Sequence, residues 1–155
     1  MNYVCTLLAV TDLEKSKKFY GDVLGLTVTG DFGANVTLSG GISLQTAGTW
    51  KDFIHKNSED IVFGGNECEL YFEEDDIDLF IEKLKAVPGI QYVHPLTEHS
   101  WGQRVVRFYD PDKHIIEVGE SIGFVVKRFI KIGLSVEETA ARMDVPADYV
   151  RTRLS

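Results

Sequence analysis

Two glutamates in strand-like segments are the side chains of this 155-residue sequence most suited to acid–base chemistry. Segment 68–74 (CELYFEE) and segment 114–118 (HIIEV) each alternate in polarity, which assigns Glu69 and Glu117 to the less apolar face of a sheet. Two carboxylates facing one enclosed space cannot both ionise at low cost, so one would hold a proton. The pair therefore predicts a catalytic acid and base acting on a carbonyl or hydroxy-acid substrate, or two hydrogen-bonding groups for a ligand.

A neighbouring arginine is the alternative partner for each of these carboxylates. Arg104 and Arg107, in the strand-like segment 103–109, are the candidates. The sequence leaves the two interpretations open.

Further polar side chains share the face of the two glutamates. The opposite face is apolar throughout, as expected of a sheet surface under helices. The polar face includes aromatic and aliphatic groups, which favours a pocket for a small organic molecule over a sheet face that simply meets solvent. The predicted pocket residues are Cys5, Ser43, Gln45, Glu69, Tyr71, Trp101 and Glu117, and the predicted helix-covered residues are Val4, Leu8, Val10, Ile42, Leu44, Leu70, Phe72, Ile116 and Val118.

A repeated strand–helix pattern positions these faces. A strand at 4–10 precedes a helix capped by Thr11 or Asp12 and ended by Gly25, and the plan recurs at an offset of 64 residues, from Asp12 to Asp76. The pattern predicts an α+β fold of two βαβββ modules. The further predicted strands lie near 26–31, 34–38, 41–46, 90–94, 103–109 and 114–118, and a short helix and loop are predicted over 47–63.

Composition limits the classes of partner. The formal net charge of −8 disfavours nucleic acid and anionic lipid, and no segment approaches the roughly 20 apolar residues of a membrane span. The first residues lack the features of a signal peptide, so we predict a cytoplasmic protein with Cys5 and Cys68 reduced.

Two motifs resemble the glyoxalase and bleomycin-resistance family of the vicinal oxygen chelate superfamily. They are VTDLEKSKKFYGDVLGL at 10–26 and WGQRVVRFYDPDKHIIEV at 101–118, and the resemblance covers about residues 3–120. It implies two βαβββ modules whose mixed sheets curl around a small-molecule cavity. We therefore predict a domain at 1–120 and a helical C-terminal tail at 121–155.

The resemblance also implies four inward positions that hold a metal in metal-dependent members. They fall on Cys5, Ser43, Glu69 and Glu117, and only Glu117 keeps the usual residue type. Cys5, Glu69 and Glu117 could still form a three-ligand zinc site, whereas Cys5 could equally be a small buried apolar group. We predict no cofactor, and a divalent metal at these three residues is the open alternative.

Residues near the expected mouth of the cavity have two interpretations each. Trp101 could stack on a ligand or anchor the loop, and His55 and His99 could reach the mouth or remain solvated. The sequence Asp110-Pro111-Asp112 is typical of a turn, and His114 is interpreted as structural.

The tail is predicted to form three short helices. Ser135 and Glu138 make a capping box, and Pro146 suits the first turn of the third helix. The run at 133–154 resembles a helix-turn-helix, but six basic and four acidic residues over 121–155 give a weaker basic face than DNA binding needs. We expect a docking element that covers apolar surface or joins subunits, through Phe124, Val125, Phe129, Ile132, Leu134 and Val150.

The leading functional hypothesis is a small-molecule-binding protein with glyoxalase-like lyase or isomerase activity on a small carbonyl compound. The alternative is a non-catalytic protein that sequesters a drug or metabolite, as bleomycin-resistance proteins do. A third is a regulator in which ligand binding moves the tail. We predict a homodimer and no nucleic-acid or membrane partner.

Overall fold

A computed structural model describes residues 1–154, which form two units. The first unit comprises Met1–Cys68 and Tyr109–His114, and the second comprises Glu69–Phe108 and the chain from Ile115 onward. The elements of the first unit are β1 (Thr6–Val10), α1 (Leu13–Leu24), β2 (Val28–Asp31), β3 (Asn35–Leu38), β4 (Ile42–Thr46), α2 (Ala47–Phe53) and a 3-10 helix (Ser58–Asp60). Those of the second are β5 (Glu69–Glu74), α3 (Ile77–Ala86), β6 (Gln91–Glu98), β7 (Arg104–Tyr109, whose last residue belongs to the first unit), β8 (Ile115–Glu120), α4 (Ile122–Lys131), α5 (Val136–Met143) and α6 (Ala147–Arg151).

Local capping chemistry fixes the first helix of each unit. The Asp12 side chain accepts a hydrogen bond from the backbone N–H of Lys15, and Asp76 does the same for Leu79. Gly25 ends α1 with a φ of 68°, the left-handed conformation that glycine adopts without a side-chain clash. The sequence prediction of these helix starts, and of Gly25 as the end of α1, is confirmed.

The two sheets have the same topology. The strand order is β1-β4-β3-β2 in one and β5-β8-β7-β6 in the other, with a parallel first pair in each. Leu7 lies opposite Ser43 in the first sheet, and Tyr71, 64 residues after Leu7, lies opposite Glu117 in the second. The predicted α+β fold of two βαβββ modules is confirmed.

Alternation assigns most of the apolar face correctly. Leu8, Val10, Ile42, Leu44, Ile116 and Val118 are buried, while Leu70 and Phe72 are half-buried. The prediction fails for Val4, which precedes β1 and is 80% exposed.

A buried carboxylate organises the turn between β7 and β8. Asp110 accepts hydrogen bonds from the Tyr20 hydroxyl (2.9 Å) and from the backbone N–H groups of Asp112 and His114, and its Oδ2 lies 2.8 Å from His114 Nδ1. Thr11 donates to Asp112 through both its N–H and its hydroxyl. These contacts support the interpretation of this segment as turn chemistry and of His114 as structural.

The His114–Asp110 pair predicts a pH-dependent stability. Burial lowers the pKa of His114, but the hydrogen bond and charge of Asp110 outweigh it, so the pKa is raised above 6.5. Protonated His114 therefore adds stability that is complete below about pH 6.5 and is lost as the pH rises through the raised value. Replacing His114 with Gln should lower the free energy of unfolding by on the order of 1 kcal/mol more in acid than in base. Urea titrations at several pH values measure this difference. A cost that does not vary with pH would contradict this assignment.

The three predicted tail helices are present, with the Ser135–Glu138 capping box. Pro146 occupies the N-cap of α6 rather than its first turn. Of the six apolar residues expected to pack on the domain or on a second subunit, Phe124 is 39% and Ile132 65% exposed in this chain, so their contact with a second subunit stays a prediction. The packed residues form a small core of Val125, Val126, Phe129, Ala140, Met143 and Val150.

Arginines attach the tail to the rest of the second unit. Arg128 of α4 donates to the Gly102 carbonyl and to Glu120, which is fully buried in β8. Arg142 of α5 donates to Glu98 and to the Ser100 carbonyl. The tail helices thus pack on the turn between β6 and β7.

None of the helices described over residues 1–154 has the length and apolar character needed to cross a bilayer.

Candidate functional site

A row of charged and polar side chains crosses all four strands of the second sheet. Arg107 on β7 donates from Nε to Glu69 Oε2 on β5 (2.8 Å), and its Nη2 lies against Glu117 Oε2 on β8. Its Nη1 lies 3.2 Å from His94 Nε2 on β6. One guanidinium therefore bridges both carboxylates and the imidazole.

The surroundings of His94 fix its tautomer. Its Nδ1 lies 2.8 Å from the Pro95 carbonyl oxygen, which can only accept, so Nδ1 carries the proton. Nε2 is then free to accept from Arg107. With His94 neutral, two carboxylates and one guanidinium leave the cluster with a net charge of −1.

The arrangement bears on the two interpretations of the glutamates. Arg107 is an ion-pair partner of both Glu69 and Glu117, which is the alternative left open by the sequence. Arg104 was the other candidate, but it binds Glu120 and Asp78 on the helix-covered face.

An aromatic group continues the same face of the second sheet. The Tyr71 hydroxyl donates to Glu73 (3.0 Å) and accepts from Gln103 Nε2 (2.8 Å), while Trp101 Nε1 donates to Gln103 Oε1 (3.1 Å). The His99 ring stacks on Trp101 with centroids 4.2 Å apart. Tyr71 and Trp101 remain 47% and 38% exposed, so both offer ring surface to a ligand.

Titration behaviour follows from these contacts. Burial raises the pKa of Tyr71, as does Glu73, although the Gln103 hydrogen bond opposes them. Burial and the nearby charge of Arg107 lower the pKa of His99. Tyr71 is therefore a neutral phenol and His99 a neutral ring at pH 7.

The predicted pocket residues of the first unit form a neutral network. Ser43 donates to Cys5 Sγ (3.5 Å) and lies 3.5 Å from the Thr37 hydroxyl. Gln45 is buried, accepts from Asn35 (2.8 Å) and donates to Thr49 (2.8 Å). The first unit thus brings Cys5 and Ser43 together, while the second brings together Glu69, Glu117, Tyr71 and Trp101.

The donors of the second unit do not fit a metal ion. Glu69 and Glu117 are already bound to the cationic Arg107, and a divalent ion placed between them would meet a like charge. Across residues 1–154, no group of three or more His, Cys, Asp or Glu side chains is arranged to hold a metal.

His94 is the site residue that sequence reasoning missed. The predicted strand ended at 94, at the residue before Pro95, whereas β6 runs through the proline to Glu98. A proline is tolerated in an edge strand, and β6 is the edge of its sheet. Extending the strand would have placed His94 in the interior of β6, next to β7.

Comparison with known families identifies the fold. The glyoxalase-like domain profile matches residues 3–123. The chain belongs to the glyoxalase-like family. This glyoxalase-like protein continues beyond the matched range, so most of α4 and all of α5 and α6 lie outside it.

Solved structures share this fold. A protein of unknown function from Agrobacterium tumefaciens str. C58 is 39% identical, with a TM-score of 0.71 over 79% of this chain and 95% of that one. A glyoxalase-related enzyme from Fulvimarina pelagi is 19% identical, with a TM-score of 0.66 over 77% and 88%. A glyoxalase/bleomycin resistance protein/dioxygenase family enzyme from Burkholderia phytofirmans PsJN is 14% identical, with a TM-score of 0.68 over 77% and 98%. The latter two similarities show the fold alone. The chain matches no curated protein.

Proposed function

We propose that this glyoxalase-like protein reversibly binds a small organic molecule on the polar face of the second sheet and does not catalyse its conversion. The observation that supports this is the bridging of Glu69 and Glu117 by Arg107. A carboxylate held by a guanidinium is a weaker base than a free one, so the pair is poorly suited to proton abstraction.

The same cluster offers contacts to a ligand. Nη1 of Arg107 has two hydrogens and His94 accepts one, which leaves one for a ligand oxygen. Glu69 is partly exposed and can accept from a ligand hydroxyl or amine. Tyr71 and Trp101 supply aromatic surface beside these groups.

A glyoxalase-like lyase or isomerase acting on a small carbonyl compound is the second candidate. It is favoured by the burial of Glu117, whose carboxylate is 6% exposed. In that mechanism Glu117 accepts a proton from the carbon next to the carbonyl, and Arg107 stabilises the resulting enolate oxygen.

Tryptophan fluorescence separates these candidates. In a Trp50→Phe background, where Trp101 is the remaining tryptophan, we would titrate bleomycin and, separately, methylglyoxal. We expect a saturable signal with one of them and no change in its ultraviolet or NMR spectrum over hours. Arg107→Met should weaken binding about tenfold or more, as removal of one partner of a charged site does.

Arg151→Met is the matched control, because it removes the same charge from exposed α6. It should leave the affinity unchanged. Steady conversion of methylglyoxal that is lost in Glu117→Gln would instead establish the lyase or isomerase. Equal affinity in Arg107→Met and the parent protein would contradict the assignment of the site.

We propose a cytoplasmic homodimer that binds neither nucleic acid nor membranes. The contacts of the tail support the absence of a nucleic-acid partner, because Arg128, Arg142 and Arg151 are each paired with carboxylates and so contribute little to a phosphate-binding surface.

A further inference from the structure

We propose that Arg107 is the resident cation of this site, and that its guanidinium takes the place of a divalent ion and keeps metals from Glu69 and Glu117. The proposal concerns the same face as the proposed binding function. It does not rest on the identity of any organic ligand.

The groups that Arg107 contacts are of the types that also serve as metal ligands. Its nitrogens contact Glu69 on β5, Glu117 on β8 and the unprotonated Nε2 of His94 on β6. Two carboxylates and one neutral imidazole are the ligand types that divalent transition metals take in proteins. Here the cation among them is part of the chain.

Burial strengthens the attraction through which the Arg107 guanidinium takes the place of a metal ion. Glu117 is almost fully buried and Arg107 is 23% exposed, so water screens their attraction weakly. Leaving Glu117 without a cation would be costly, so the site requires either this arginine or another positive ion. While Arg107 is in place, a divalent ion would meet its charge a few ångströms away.

Removing the guanidinium should therefore create metal affinity. We would measure manganese binding to the full-length protein from the electron paramagnetic resonance signal of free Mn²⁺, with calorimetry alongside. Manganese suits carboxylate donors and has little preference for the thiols of Cys5 and Cys68.

The wild-type protein should show no saturable site. Arg107→Met should bind one Mn²⁺ with an affinity on the order of 100-fold above the weak, non-saturating binding of the wild type, because a weakly screened like charge has gone. Arg107→Lys, which keeps the charge, should bind Mn²⁺ no better than the wild type. Arg151→Met should also gain no Mn²⁺ affinity. Adding Glu117→Gln to Arg107→Met should abolish the gain.

Stoichiometric manganese in the wild-type protein would overturn the proposal without any variant. So would an Arg107→Met protein, folded by circular dichroism, that gains no affinity; Arg107→Gln replaces it if the methionine variant does not fold. Because no organic ligand is present, failure here is distinguishable from failure of the proposed function.

Discussion

Replacing Glu120 with alanine is expected to lower the free energy of unfolding by about 3–5 kcal/mol. Its carboxylate is fully buried, accepts from Arg104 through Nε, Nη2 and the backbone N–H, and also binds Arg128. Without it, two partly buried guanidinium groups lose their shared counter-charge, and α4 loses its charged contact to β8. Urea denaturation followed by circular dichroism measures the loss.

Glu98→Ala is the matched comparison. Glu98 also pairs with Arg128 and Arg142, but its side chain is 40% exposed, so the cost should be about 1 kcal/mol or less. Glu120→Gln keeps the side-chain volume and removes the charge. Its loss in free energy of unfolding should lie between those of the two alanine variants. Equal losses for Glu120→Ala and Glu98→Ala would show that the buried ion pairs do not hold the tail.

Replacing Gly102 with alanine is expected to release the tail from the second unit and to cost about 2–5 kcal/mol. A β-carbon at this position would lie 2.2 Å from the Phe129 ring. The backbone also has a φ of +89°, which residues with side chains rarely adopt. The steric overlap with Phe129 and the backbone strain both act on the turn that Arg128 and Phe129 contact.

Gly133→Ala separates these two terms. Gly133 has a φ of +102°, but a β-carbon there would meet no atom within 4 Å, so only the backbone strain of about 1–2 kcal/mol applies. Limited proteolysis should cleave Gly102→Ala within the tail helices much faster than wild type and Gly133→Ala only slightly faster. Equal cleavage of the two variants would show that the Phe129 contact does not fasten the tail.

The sequence alone identified the features that depend on neighbouring residues. Ser135 was recognisable as a helix cap, and Asp12 as one of two candidates with Thr11, because a cap needs only a side chain and an amide two or three residues on. The 64-residue repeat followed from the matching helix starts and ends, and the polar face of each sheet followed from alternation, which the backbone imposes on every strand.

The tertiary structure decided which charges meet. Arg104 and Arg107 lie three residues apart on one strand and point to opposite faces, so their partners depend on the pairing of β7 with β8 and on the position of α3. Glu69 and Arg107 are 38 residues apart in sequence. No local rule relates such residues, because their distance is set by the packing of four strands, and that packing places the cation at the centre of the site.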